Sequence, residues 1–544
     1  MIETLLKNIN KIIPLINLII IFSFLITDYK KQISLKKFYE MSVLNKKRID
    51  YIIIFFFLCL IYNYLNSYFS PYFITDLFEH AWINTALAFS KGINPLNIQN
   101  ASEYANLYST VWPLIVSKFS FLIELKNTSL KNLMHSINLI VFIVFCIIIT
   151  HFIKKKNKVN IFILLASFYL IFTQESNLGS SPHTIGMVLY ILSIFIAYFK
   201  KGNSFLLISL IFITIATLFK QYFFLGIFLI IIPQLENLDR KKIIIFFVWI
   251  IFSLSVFLTL NINYEMYFDI HYNYYLSYSK FVEFKFYRIF NEAGYLLKYF
   301  PFLLILFFYS VINYDFKNKF KKKFFITSVL VVTFIVFKMW TNIGNFAIYS
   351  LQLILPIILI YIVEYINNKK EKNNFLRLIN IFIIVTILIN IHGDFGYIDK
   401  KKINKNKNLF LDIVKIVEEK NKDNLFLDKG LTLFNDEVKV THYDAGHKLL
   451  IESYINARKN GFLKRSNFEE LFLRKMQKNL SNKNEEFKKE IFKGELTDIK
   501  AYNFAICTGC VELLNSYKVN QIGKLYIKGK NPVDVKILIK KDIF

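Results

Sequence analysis

The chain has 544 residues, of which 55% are hydrophobic and 18% aromatic, and its mean hydropathy is +0.41. These values exclude an ordinary soluble globular protein and indicate a polytopic membrane protein. The formal net charge of +28 comes from short lysine and arginine clusters between apolar runs. The positive-inside rule explains such clusters, so we expect no nucleic-acid partner.

Apolar runs long enough to cross a bilayer predict about twelve transmembrane helices. They lie near residues 11–28, 49–68, 134–153, 159–173, 183–199, 204–219, 222–236, 242–261, 294–313, 323–340, 347–366 and 375–391. The first apolar run, Lys11–Ile26, lacks a small-residue cleavage site, so we interpret it as an anchor and not as a signal peptide.

A further apolar stretch, residues 111–125, is ambiguous, and the positive charges decide its placement. The basic segment 30–48 puts the first connection in the cytoplasm, so that residues 69–109 lie outside. If 111–125 also crossed, the lysine cluster at 154–158 and the later basic loops would lie outside as well. We therefore predict that 111–125 is an interfacial helix within a first extracytoplasmic loop, residues 69–133.

This first loop carries Asp76, Glu79 and His80 in the run ITDLFEHAW. Their i, i+3, i+4 spacing places the three side chains on one face of a helix. Ionisable groups beside a bilayer are costly, which favours a functional site. A carboxylate there can act as general base toward a hydroxyl. The alternative is a solvated amphipathic helix on the membrane surface.

Other polar side chains occur at predicted outer turns. Lys220 and Gln221 lie at a tight turn between two apolar runs, where a lysine can bind a phosphate as a point charge. The alternative is a lysine that extends from a helix end to solvent. His183 follows Pro182 and could simply cap a helix. A carboxylate, a phosphate anchor and apolar helices that accept a lipid tail together predict a transferase that takes a sugar from a lipid phosphate.

Four segments follow one another in a characteristic order. They are TDLFEHAWINTALAFSKGINP (75–95), YSTVWPLIVSKF (108–119), LFKQYFFLG (218–226) and IGNFAIYSLQLILP (343–356). This layout, followed by an extracytoplasmic C-terminal domain, resembles the polytopic glycosyltransferases of the GT-C fold, which include bacterial aminoarabinose and protein-mannosyl transferases. The resemblance implies an all-α membrane domain in the plasma membrane that uses a polyprenyl-phosphate sugar donor and a glycan, lipid or protein acceptor.

The resemblance also implies roles for individual residues. Asp76 would activate the acceptor hydroxyl or organise a divalent cation such as Mg²⁺ or Mn²⁺, with Glu79 and His80 as its catalytic neighbours. The side chains that would bind the lipid phosphate of the donor are Lys220, Gln221 and His183. The side chains that would line the cavity are Tyr108, Glu175, Asn345 and Tyr349.

The chain departs from the family pattern at three places. Many relatives have an acidic residue after the proline where this chain has Pro182–His183, and Glu175 is the nearest substitute. Asp76–Leu77 replaces the DE pair of the mannosyl and aminoarabinose branch, so the substrates of that branch are not implied. The WWD run of oligosaccharyltransferases is absent from the sequence.

Residues 395–544 are lysine-rich and mixed in pattern, and they predict a soluble extracytoplasmic α/β domain after a membrane domain at 1–394. Helices are predicted at Leu409–Lys420 and Ala457–Asn482, and strands at Asn424–Leu427, Tyr502–Cys507, Lys524–Ile527 and Val533–Ile539. Cys507 and Cys510 form a CTGC pair, which indicates either a local disulfide in an oxidising compartment or a buried thiol pair.

Two other functions fit parts of the pattern. A polysaccharide polymerase or ligase acting on diphosphate-linked glycans would concentrate arginine and histidine in a large late loop. The loop 262–293 offers only His271 and Arg288. A non-enzymatic lipid or glycan transporter would favour helices broken by glycine and proline with charges at the midplane, and the chain is poor in both residues.

Overall fold

A computed structural model describes the larger part of the helical region and a small part of the tail. The described residues are 79–97, 109–153, 181–235, 238–264, 267–273, 286–299, 301–340, 347–368, 400–419, 425–427, 504–507, 517–526 and 532–540, with isolated positions at 51, 54, 55, 58, 69, 70, 72, 100, 162 and 165.

Twelve α-helices lie within these described ranges. They are α1 (Glu79–Ser90), α2 (Val111–Lys118), α3 (Asn127–His151), α4 (His183–Phe199), α5 (Asn203–Phe219), α6 (Gly226–Gln234), α7 (Arg240–Asn263), α8 (Arg288–Tyr299), α9 (Pro301–Ile312), α10 (Lys319–Met339), α11 (Ala347–Asn368) and α12 (Lys400–Glu419). Short 3₁₀-helices cover Ser120–Leu122 and Gln221–Leu225, and a π-helix covers Asp269–Asn273.

Three described helices are long and apolar enough to cross a membrane. They contain the stretches Thr128–His151 in α3, Arg240–Asn263 in α7 and Ser350–Asn367 in α11. α4 and α5 are apolar helices of 17 residues each. A helix of that length rises ~26 Å, close to the thickness of the bilayer core. These helices support the prediction of a membrane protein.

Six of the twelve predicted spans coincide with single described helices, and four cannot be compared in full. The spans that match a described helix are 134–153, 183–199, 204–219, 242–261, 323–340 and 347–366. The spans at 11–28 and 375–391, and most of those at 49–68 and 159–173, lie outside the described residues. The number of crossings and their sidedness therefore stay predictions.

Two predicted spans each cover more than one described element. The run 222–236 begins as the 3₁₀-helix Gln221–Leu225 and continues as the nine-residue α6, and together they form an apolar helical segment over Gln221–Gln234. The run 294–313 covers the end of α8 and all of α9, and residue 300 between them lies outside the described residues. Proline has no backbone N–H and favours the first position of a helix, which suits Pro301 at the start of α9.

The ambiguous stretch at 111–125 does not form a spanning helix. α2 has eight residues and rises only ~12 Å, which is too short to cross a bilayer core. The large side chains Phe121 and Leu122 after it are exposed. This agrees with the prediction that the stretch stays on one side of the membrane.

α4 forms the centre of the helical part. It packs against α3, α5, α6 and α11, and most of its side chains are buried. α7 differs, because none of its side chains is classed as buried and its protein contacts are mainly with α5. The indole of Trp249 donates a hydrogen bond to Thr214 Oγ1 on α5 at 2.8 Å. An apolar helix exposed in this way is suited to lipid surroundings.

The described part of the tail is one helix on a four-stranded sheet. The strands are β1 (Leu425–Leu427), β2 (Phe504–Cys507), β3 (Tyr517–Leu525) and β4 (Val533–Lys540). Their order is β1-β2-β4-β3, with β1 parallel to β2 and the other neighbours antiparallel. α12 packs against β3, where Gly523 allows a close approach: a Cβ there would lie 3.0 Å from Leu409.

The predicted α/β character of the tail agrees with this sheet, but two boundaries were wrong. α12 begins at Lys400, nine residues before the predicted start, because residues 400–408 are lysines and asparagines with one isoleucine and show no apolar helical period. β3 begins at Tyr517 and not at Lys524. Polar and apolar residues alternate only weakly along this edge strand, and it has a bulge near Gln521. The predicted helix 457–482 and Cys510 lie outside the described residues.

The tail contacts the first loop through Asn406 and through apolar side chains that share a core cluster with Trp82 and Trp112. Asn406 Nδ2 donates to the backbone oxygens of Tyr526 at 2.8 Å and of Tyr72 at 3.1 Å. Asn406 Oδ1 accepts from the Tyr526 N–H at 2.8 Å. The rings of Tyr72 and Phe410 lie 5.7 Å apart. The tail helix α12 therefore contacts Tyr72, which lies four residues before Asp76 in sequence.

Candidate functional site at the Lys220 turn

Lys220 occupies a defined turn between α5 and the following 3₁₀-helix. Its backbone is extended, with φ −152° and ψ 124°. Its N–H donates to Ala216 O and its carbonyl accepts from Phe223 N–H, both at 3.1 Å. The side chain is only 9% exposed, so the alternative of a lysine that extends to solvent is wrong. Burial lowers the pKa of the Lys220 ammonium to about 7.

Side chains from two other segments hold this turn on both sides. Ser109 Oγ donates to the backbone oxygen of Leu218 at 3.0 Å. Gln221 Nε2 donates to the backbone oxygen of His271. A further hydrogen bond joins Thr110 Oγ1 to His271 Nε2. All four of the side chains at Ser109, Thr110, Lys220 and His271 are buried, so the turn is fixed by contacts inside the protein.

His183 begins α4 on the neighbouring side of the turn. Its ring is buried and its Nδ1 lies 3.0 Å from Ser181 Oγ. The backbone oxygen of Ser181 in turn accepts from Asn138 Nδ2 at 3.1 Å. His183 therefore begins α4 beside the Lys220 turn, and its predicted role in phosphate binding stays a prediction.

A glycine allows α4 to approach the turn this closely. A Cβ on Gly186 would lie 2.6 Å from the ring of Phe223, which is closer than any side chain can accept without a shift. The ring of His183 lies 6.4 Å from that of Tyr222. The small residue therefore brings the start of α4 against the 3₁₀-helix that follows Lys220.

Gln352 joins the same cluster from α11. The Tyr222 hydroxyl donates to Gln352 Oε1 at 3.3 Å. Gln352 is fully buried in the second turn of α11. The sequence reasoning missed it, although a glutamine within the run IYSLQLILP was a visible signal.

A second buried polar face was also missed. Lys131, His135 and Asn138 lie at i, i+4 and i+7 on α3, and all three are buried. Leu130 and Met134 beside them pack in the same core as Trp82 of α1. The run KNLMHSIN ahead of a long apolar stretch carried this signal. The face extends from the Ser181–His183 contact toward α1.

Several predicted site residues cannot be placed. Those outside the described residues are Asp76, Tyr108, Glu175 and Asn345. Those that lie in a described helix, but whose side chains are not described, are Glu79, His80 and Tyr349. α1 begins at Glu79, so the predicted three-residue face stays a prediction.

The described residues do not by themselves suggest a metal centre. No group of three or more histidine, cysteine, aspartate or glutamate side chains within them could hold a metal ion. The predicted cation ligand, Asp76, lies outside these ranges. A requirement for Mg²⁺ or Mn²⁺ stays a prediction.

Comparisons with known proteins found one distant structural similarity and no sequence match. No protein-family model matches the chain, and no curated protein matches its sequence. Among solved structures, it is similar to the crystal structure of ArnT from Cupriavidus metallidurans bound to undecaprenyl phosphate. The identity is 9% and the TM-score 0.42, over 89% of this chain and 97% of that one. At this TM-score we base no conclusion on the similarity.

Proposed function

We propose that the chain is an integral-membrane glycosyltransferase of the GT-C type. It takes a sugar from a polyprenyl-phosphate donor, inverts the anomeric carbon, and passes the sugar to a glycan, lipid or protein on the outer face of the plasma membrane. The observation that carries the proposal is the buried Lys220, held at a turn between two apolar helices by hydrogen bonds from two other segments.

A buried ammonium in this place favours an anionic ligand. Desolvation disfavours the charged form of Lys220, and a phosphate beside it would restore that form. The flanking apolar helices α4 and α5 would receive the lipid chain.

The acceptor side of the reaction would come from the first loop. Asp76 takes the proton of the acceptor hydroxyl, whose oxygen attacks the anomeric carbon as the bond to the phosphate oxygen breaks. The phosphate leaves with its negative charge next to Lys220. Glu79 and His80 act as supporting groups. The packing of α1 against α2, which directly follows Ser109 and Thr110, supports a position of this loop near Lys220.

The test uses the purified full chain in liposomes with a panel of polyprenyl-phosphate sugars and a membrane extract as acceptor source. Released polyprenyl phosphate is measured. We expect Lys220→Met and Asp76→Asn to lower release by about a hundredfold or more, in line with the loss of a group that stabilises transition-state charge. Lys118→Met, at an exposed lysine on α2, is the matched control.

Other outcomes would contradict the proposal. Full release by Lys220→Met or by Asp76→Asn would remove that residue from its role. Activity only with diphosphate-linked glycans would favour a polymerase or ligase. Movement of the lipid across the bilayer without bond cleavage would favour a transporter. A loss of activity in EDTA that Mg²⁺ or Mn²⁺ restores would show a need for a divalent cation.

A further inference from the structure

The amide of Gln352 is an unusual group in the interior of this bundle. The residue is 0% exposed. Its Oε1 accepts from the Tyr222 hydroxyl at 3.3 Å, but its Nε2 has no hydrogen-bond partner among the described residues. Buried donors in native proteins are almost always paired, because an unpaired one has lost its bonds to water. A missing acceptor is therefore expected at this amide.

The position of the amide indicates what that acceptor is. Tyr222 follows Lys220 by two residues, and its ring centroid lies 6.4 Å from that of His183. The 3₁₀-helix Gln221–Leu225 that carries Tyr222 contacts α11. The Gln352 amide is thus joined through Tyr222 to the turn that carries the Lys220 ammonium. Such a pair combines a charge with a directed neutral donor, which suits a group with several acceptor oxygens.

We propose that Gln352 is a ligand-binding residue whose Nε2 donates a hydrogen bond to a phosphate oxygen of the lipid headgroup that Lys220 binds. The inference rests on the proposed function, because it assigns a second group to the same headgroup. Tyr222 is the positioning residue: by donating to Oε1, its hydroxyl turns the N–H₂ group away from itself and toward the ligand. No sequence motif assigned a role to either side chain.

The proposal predicts that loss of the Gln352 amide weakens ligand binding but does not lower the melting temperature of the ligand-free protein. An amide that is paired within the folded protein stabilises it, so its loss lowers the melting temperature. An amide N–H₂ group whose acceptor comes only with the ligand makes no stabilising hydrogen bond before the ligand binds. Replacing both polar partners together, as in Tyr222→Phe/Gln352→Met, avoids leaving the tyrosine hydroxyl unpaired and gives the clean comparison.

The experiment measures the melting temperature of the full chain in detergent and its Kd for undecaprenyl phosphate, with undecaprenol as the uncharged analogue. For Gln352→Met we expect phosphate binding to weaken by about tenfold to a hundredfold, as for a lost hydrogen bond to a charged group. Gln352→Glu should weaken it further, because a carboxylate repels the phosphate. The double variant should keep the wild-type melting temperature without ligand.

Gln234→Met is the matched control, because the Gln234 amide already donates to the backbone oxygen of Ala197 at 3.4 Å. It should leave the Kd unchanged. Undecaprenol should bind Gln352→Met and the wild type alike, since it carries no phosphate.

The experiment distinguishes a failure of the Gln352 proposal from a failure of the proposed function. If Lys220→Met loses phosphate binding while Gln352→Met keeps it, Gln352 has no such role and the proposed function stands. If the double variant loses melting temperature but not affinity, the amide is paired within the protein and the inference is wrong. If the wild type binds both lipids equally, neither Lys220 nor Gln352 recognises a phosphate, and the proposed function fails as well.

Discussion

Two polar clusters lie at opposite ends of α4, one around Lys321 and one around Lys220. Near the end of the helix, the half-buried Lys321 pairs with Glu364 at 2.6 Å and lies over the ring of Tyr314, whose hydroxyl bonds that of Tyr198. At the start of the helix, the buried Lys220 lies in the turn before Phe223, whose ring packs against Gly186 of α4.

The two clusters differ in burial and in proposed role. The Lys321–Glu364 ion pair joins α10 to α11. Burial lowers the pKa of Lys220 to about 7, and the phosphate proposed above would stabilise its charged form. Replacing each lysine separately by methionine is the most direct test of this difference.

The largest expected effect is that the two lysine substitutions change different properties, one the binding of lipid phosphate and the other the stability of the fold. Lys220→Met should weaken binding of a polyprenyl phosphate by about a hundredfold, because it removes the buried charge. Lys321→Met should leave binding unchanged but destabilise the protein by about 2 kcal/mol, because Glu364 then lies half-buried without its partner. Equilibrium binding and thermal unfolding in detergent measure the two effects. Loss of binding in both variants would contradict the distinction.

The next effect is a dependence of binding on pH that only Lys220 should produce. Its pKa is lowered from 10.5 to about 7 by burial, and a bound phosphate would raise it again. Below pH 7 the ammonium is already charged, so the affinity is at its maximum. Above pH 7 the group must take up a proton on binding, so the affinity should fall by up to about tenfold per pH unit.

The matching measurement is a series of dissociation constants between pH 7 and 9 for the wild type and for Lys220→Met. The slope should be present in the first and absent in the second. The Lys321→Met variant serves as control and should keep the slope. An equal slope in all three proteins would assign the titration to another group.

The same comparison shows what the sequence could and could not predict. α4 was predicted at its observed bounds, since an apolar run between Pro182 and Lys200 is a local signal. Lys220 was found for the same reason, as a charge between two apolar runs. Its burial was not predictable, because it depends on Gly186 packing against Phe223, and no local pattern reports contacts between distant residues.

Buried polar side chains with distant partners were the main omission. Gln352 and Thr110 are bonded to Tyr222 and His271, which are more than a hundred residues away in sequence. A hydropathy pattern averages over such positions. In the tail, the run 400–408 is rich in lysine and asparagine and shows no apolar period, so the first nine residues of α12 were not predicted.

A smaller effect is expected from the hydrogen bonds that hold the Lys220 turn. Thr110→Val keeps the shape of the side chain but removes the hydroxyl that bonds His271. We expect the KM for the donor to rise by about fivefold with kcat nearly unchanged, because the ammonium is less well positioned but still present. Thr214→Val, at a buried threonine bonded to Trp249 and Ser253, is the matched control. Equal changes in both variants would indicate only a general loss of packing.

The smallest effect concerns the tail and its contact with the first loop. Asn406→Ala removes the bonds to Tyr526 and to the Tyr72 carbonyl, four residues before Asp76. We expect a two- to threefold fall in kcat, of the order of one lost hydrogen bond, with donor affinity unchanged. Asn520→Ala, at an exposed position on β3, is the control. A loss of donor affinity like that of Lys220→Met would instead show that the tail contributes to donor binding.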